Sequence, residues 1–403
     1  MTSTRRPAAH VQLGLERLLG PRLDLVGDAR VGLVCNQATV DHSLRHAADL
    51  VHAHPKIRLT TLFGPQHGIR GDVQDNMVET AHATDGQTGL PVYSLYSETR
   101  EPTEAMLKDV DVLVVDLQDV GCRIYTFVYT MANCMRVAAR LGKRVIVCDR
   151  PNPIGGEAVA GNVLEPAFAS FVGLFPIPTR HGMTSGELAR LFNEAFGLGC
   201  ALEVVTMEGW SRALWMDETD APWVLPSPNM PTVDTAAVFP GTVHLEGTQM
   251  SEGRGTTRPF ELVGAPYIEA EEYGRALNAL GLPGVYFRPT VFQPTFQKHA
   301  GKLCSGFQIN IEDGAYQHAE FRPWRLMAGA FKCIRRLRGE YPLWRDFPYE
   351  YERTRLAIDL INGSELLREW VDDPASTPAD LDKLAARDEA EWAEQRSDIL
   401  LYR

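Results

Sequence analysis

The feature that most constrains this chain is the run VDVLVVDLQ, residues 110–118, which is nearly unbroken in β-branched and aliphatic side chains. A strand with one wet face alternates apolar with polar. A run apolar at almost every position suits a strand covered on both faces of a parallel sheet, with helices above and below. The first half supplies the remainder of that pattern. Residues 30–37, 58–65, 90–96, 144–149 and 202–207 read as further strands, and amphipathic stretches at 44–53 and 125–142 as covering helices. Thr184 followed three residues later by Glu187 has the spacing of a capping box and predicts another helix start. The predicted fold class is α/β: a Rossmann-like, mostly parallel sheet domain followed by a smaller mixed α+β domain.

The texture changes after about residue 209, and proline and glycine become dense over 223–264. Strand-like segments VYFRPTVF and CSGFQINIED follow, with strong helices near 270–280 and 323–337. We therefore divide the chain into a Rossmann-like domain over 1–240 and an auxiliary domain over 241–403, with a site in the cleft between them. The tail, 378–402, is predicted to be a charged helix docked by Leu381, Leu384 and Trp392. With 40 basic and 52 acidic residues, a formal charge of −12 and no basic block, nucleic acid is a poor partner. The seven cysteines are scattered without a CxxC pair, as expected of reduced thiols. No segment has the apolar length of a signal peptide or membrane span, so a cytoplasmic location is expected.

Ligands of open parallel sheets bind outside the carboxyl ends of the strands. Here those ends carry Asn36 and Gln37; Gln66, His67, Arg70 and Asp72; Gln118, Asp119 and Arg123; and Asp149, Arg150 and Asn152. None has the glycines of a dinucleotide fingerprint or the lysine of a phosphate-binding loop, so no cofactor is expected. His67, Asp72 and Asp75 share one loop and read as turn residues rather than metal ligands. Arg180 and His181 precede a helix start, Asn229 sits between prolines in PSPNMPT, and Glu246, Glu252, Arg254 and Arg258 crowd a glycine-rich segment.

The motifs GLVCNQATV, LFGPQHGIRGD, DGQTGLPVYSLY, VDVLVVDLQDVGCRIYTF, DRPNPIGG, FPIPTRHGMTSGELA, PSPNMPT and SEGRGTTRPFE resemble the exo-β-N-acetylmuramidase NamZ family, once catalogued as DUF1343. The resemblance runs through residues 13–402. It implies release of terminal N-acetylmuramic acid, a muramic-acid amino sugar, from small peptidoglycan fragments. It also implies a catalytic glutamate where this chain has Gln66, and an amide does not donate a proton as a carboxylic acid does. The acid is then expected elsewhere: Asp119 first, then Glu252, Asp149 and Asp72, with His67 as a proton relay. Arg254, Arg123 and Arg180 are candidates for the lactyl carboxylate, since the guanidinium fork matches it. Gln66, Asn36, Arg70, Tyr125, Arg150, His181 and Asn229 complete the expected sugar contacts. The alternative is a carbohydrate sensor that kept the pocket and lost the acid.

Overall fold

The computed structural model describes residues 8–71, 73–74, 77–311, 320–350 and 352–403. Strands β1 (Arg30–Cys35), β2 (Arg58–Gly64), β3 (Ala83–Thr84), β4 (Pro91–Ser94), β5 (Val112–Asp116) and β6 (Arg144–Cys148) come first. β7 (Ala160–Val163) and β8 (Pro178–Arg180) form a separate antiparallel ribbon, and β9 (Ala201–Val205) completes the main sheet. The order is β3-β4-β2-β1-β5-β6-β9, parallel throughout except the short edge strand β3. Connections run outward from β1 on one side and from β5 on the other, so the switch point lies between these two strands.

All five residues of β5 are buried, and the two-residue period of a strand sends them to opposite layers. Val112 and Val114 pack with Leu15 and Leu18 of α1 (Gly14–Leu18) and Ala47, Ala48 and Val51 of α2 (Ala47–Ala53). Leu113 and Val115 join the layer of α3 (Phe127–Arg140) and α4 (Ser185–Glu194). Thr184 and Glu187 form the predicted reciprocal cap. The predicted helix at 44–53 starts later, at Ala47, because Asp41 binds the backbone N–H groups of Ser43 and Arg45 and holds a turn there.

The remaining elements are α5 (Val233–Thr242), β10 (Leu262–Ala265), α6 (Ala270–Asn278), β11 (Tyr286–Phe292), β12 (Cys304–Asn310), α7 (Pro323–Leu337), α8 (Ala357–Asn362), α9 (Leu366–Asp372) and α10 (Pro378–Gln395). β10, β12 and β11 make an antiparallel sheet in that order. Helix α10 packs on β7, with Leu381 and Trp392 buried and the Trp392 indole donating to the His181 carbonyl at 2.9 Å. One apolar cluster runs from Leu113 and Val115 through α3, α5 and α7 to Trp392, so the two halves share a core. Residue 240 lies within α5.

Where α5 crosses α7 there is no room for a side chain at Gly241. A Cβ placed there would sit 2.0 Å from the Pro323 carbonyl oxygen. Gly241→Ala is expected to destabilise the fold by about 1–3 kcal/mol or more, read as a lowered denaturation midpoint in urea.

Candidate active site

Loops from both halves surround a cavity lined by polar and aromatic side chains. The first half contributes Gln66 and His67 after β2, Tyr125, Thr126 and Phe127 at the start of α3, and Ser227 and Asn229 from the proline-rich loop. Phe239 of α5 lies at the boundary, and the second half contributes Glu246, Arg254, Phe260, Tyr349 and Glu350. His67, Phe260 and Glu350 have φ of 72°, 64° and 45°, in the left-handed region that side chains other than glycine avoid. Backbone strain of this kind gathers at functional sites, where surrounding structure imposes it.

The lining is wired for fixed orientation. The Thr126 hydroxyl donates to Gln66 Oε1 at 3.1 Å and so fixes the orientation of the Gln66 amide. His67 Nδ1–H donates to the Val73 carbonyl at 2.7 Å, so the neutral ring carries its proton on that nitrogen. Asn229 is tied to Gln74 through its amide nitrogen, 3.1 Å from the Gln74 carbonyl. Arg254 lies 2.6 Å from Glu246 Oε1 and stacks over Phe260 at 4.9 Å, while the Tyr349 hydroxyl donates to Glu246 Oε2 at 2.7 Å.

Glu350 is the group whose environment stands apart. Tyr96, two residues past β4, donates its hydroxyl to both Glu350 oxygens at 3.1 and 3.0 Å. Burial nevertheless pushes this carboxyl up to about 7, against the Tyr96 hydrogen bond and with help from the negative charge of Glu246. Two carboxylates therefore share the cavity in contrasting surroundings, Glu246 against an arginine and Glu350 against a tyrosine.

Several sequence-derived candidates take other places. Glu252 is buried between Lys298 at 2.7 Å and Arg254 at 3.3 Å. Burial alone would raise its pKa, but the two cations outweigh that and hold it below the ordinary glutamate value, which unfits it to donate a proton. Asp119 does not line the cavity: its Oδ2 accepts from the Gly121 N–H at 2.7 Å and lies 3.5 Å from His181 Nε2. Asp149 accepts from Tyr402, Thr184 and Gly186 and ties the chain end to α4; burial pushes its pKa up to about 7. Arg150 pairs with Asp116 at 2.5 Å, and Arg70 with Asp49 and Asp85 at 3.1 Å each.

Arg123 donates to the carbonyls of Ile361 and Asn362 and so caps the carboxyl end of α8. Arg180 donates to the Ile154 carbonyl and stacks on Trp215. His181 Nδ1 accepts from the Met183 N–H at 3.2 Å, and Asn36 bridges Gln118 and the Pro226 carbonyl. These side chains set the positions of the loops rather than lining the cavity. Asp72 and Asp75 lie outside the described residues. Of the sequence candidates, the cavity brings together Gln66, His67, Tyr125, Asn229 and Arg254.

The sequence reading missed Ser227, Tyr349 and Glu350 and passed over Glu246. The available signal was FPYEYE, where acidic and aromatic residues alternate in the segment between two helices, a composition unlike that of a solvated loop.

A cavity lined by two carboxylates, an arginine and fixed amide and hydroxyl groups suits an enzyme that hydrolyses sugar linkages. The chain belongs to the exo-β-N-acetylmuramidase NamZ family, matching that family's N-terminal domain over residues 31–234 and its C-terminal domain over 237–402. It is 52% identical over 303 residues to the peptidoglycan β-N-acetylmuramidase NamZ of Bacillus subtilis (strain 168), covering 75% of this chain and 73% of that protein. Two DUF1343 family proteins of Bacteroides fragilis NCTC 9343 share the fold. One has a TM-score of 0.88 at 35% identity, covering 98% of this chain and all (100%) of that one. The other has 0.76 at 25% identity, covering 98% and 99%. Among the described residues no helix is long and apolar enough to cross a membrane.

Proposed function

We propose that the chain removes terminal N-acetylmuramic acid from small peptidoglycan fragments inside the cell, with Glu350 as general acid. The observation that carries this reading is the Glu350 carboxyl, pushed up to about 7 in a cavity it shares with an ion-paired Glu246. Glu350 donates its proton to the glycosidic oxygen as the bond to C1 breaks. The sugar's own acetamido oxygen attacks C1 from the opposite face, and water then opens the cyclic intermediate, returning a proton to Glu350. Glu246 supplies negative charge to the oxocarbenium-like transition state. Gln66, in place of the family's glutamate, holds the acetamido group through its NH2, and Arg254 faces the lactyl carboxylate.

The test is release of chromophore from a chromogenic β-N-acetylmuramide, run beside the matching β-N-acetylglucosaminide, which lacks the lactyl group. Turnover of the first and little of the second is the expected result. Binding of the muramide without turnover would leave a sensor in place of an enzyme. Gln66→Leu is expected to lower kcat/KM about tenfold to a hundredfold, the cost of an unmet hydrogen bond in a desolvated site.

A further inference from the structure

A second cluster of ligand-type side chains lies on the first half, outside the cavity. His10, His42 and Asp220 come from the N-terminal segment, the loop after β1 and the loop after β9, and their ligand atoms all lie within 4.8 Å of one another. His10 Nδ1 is 2.6 Å from Asp220 Oδ2, and His42 Nε2 is 3.3 Å from Asp220 Oδ1. Ligands of a tetrahedral zinc stand roughly 3.3 Å apart when each is about 2.0–2.1 Å from the ion, so small side-chain shifts suffice.

The backbone holds these groups in place before any ion arrives. The Val11 N–H donates to Asp220 Oδ1 at 2.9 Å, the Ala9 carbonyl accepts from the Asp220 N–H at 2.9 Å, and the Ala9 N–H donates to the Glu218 carbonyl at 2.8 Å. The outer nitrogen of His42, Nδ1, lies 2.7 Å from Glu16 Oε1. A carboxylate on the far nitrogen fixes the tautomer that offers Nε2 as a ligand and raises its basicity, the usual arrangement around metal-bound imidazoles. Two imidazoles and one carboxylate favour zinc or a neighbouring transition ion over magnesium.

We propose that His10, His42 and Asp220 bind one divalent transition-metal ion, with Glu16 orienting His42 and solvent completing the shell. The ion fastens the N-terminal segment to the loop at 216–220, upstream of the loop that carries Ser227 and Asn229 to the cavity.

The test is calorimetric titration of the chelator-treated full chain with zinc chloride, with magnesium chloride as the comparison. One zinc per chain with a micromolar Kd, no heat from magnesium, and a rise in Tm with zinc are expected. His10→Ala and His42→Ala should each weaken binding at least tenfold, and Glu16→Gln about tenfold. His52→Ala, at an exposed histidine on α2, should leave it unchanged. His10 is largely exposed, so its replacement does not threaten folding. Absence of zinc binding below millimolar concentration, or affinity within threefold of the parent in either the His10 or the His42 variant, would overturn the proposal.

Discussion

Glu350→Gln is expected to lower kcat about 10²–10⁴-fold on a muramide substrate while leaving the fold and KM close to those of the parent. The amide keeps the shape and accepts from Tyr96 as before, but it has no proton to hand over. The pH profile sharpens the test. A glutamate at its ordinary value of 4.5 would be protonated in well under about 1% of molecules at pH 7. Raised to about 7, Glu350 holds its proton in about half of them. An acid must be protonated to act, so activity should be present below that pH and fall about tenfold per unit above it. In the glutamine variant the residual rate should lose this basic limb. A parent enzyme with full activity at pH 9 would remove Glu350 from the role.

Arg150→Met is expected to destabilise the protein by about 3–5 kcal/mol, measured by chemical denaturation, because it leaves Asp116 charged and buried without its partner. Asp116 is fully buried, and both of its oxygens are engaged by the Arg150 guanidinium, at 2.5 and 2.8 Å. The same guanidinium donates to the Val40 carbonyl and so anchors the loop after β1. Adding Asp116→Leu to Arg150→Met should recover much of the loss, since a matched apolar pair carries no unmet charge. A loss below about 1 kcal/mol in the single variant would mean that water reaches Asp116.

The sheet was readable because a strand buried on both faces leaves an unmistakable apolar run, as β5 does. Helix α7 was readable for the same kind of reason, its apolar stripe starting at Pro323, a residue suited to a first helical turn. The ribbon of β7 and β8 left no such trace in AGNV and PTR, which are too short and mixed for a period to appear. Strand ends marked out the loops to inspect, yet position along a strand does not fix the direction of a side chain. Arg123, Arg150 and Arg180 look in sequence like substrate-binding arginines, but each satisfies carbonyls or a carboxylate inside the protein. Glu350 stayed hidden for the opposite reason. Its contact with Tyr96 joins residues 254 positions apart, and no local pattern records such a pairing.

The link between Tyr96 and Glu350 also bears on biogenesis. Tyr96 leaves the ribosome early and Glu350 only after most of the polypeptide has been made. On the proposed role of Glu350, a nascent chain presents Gln66 and Asn229 well before its general acid, and hydrolysis waits until the segment carrying Glu350 folds back onto Tyr96.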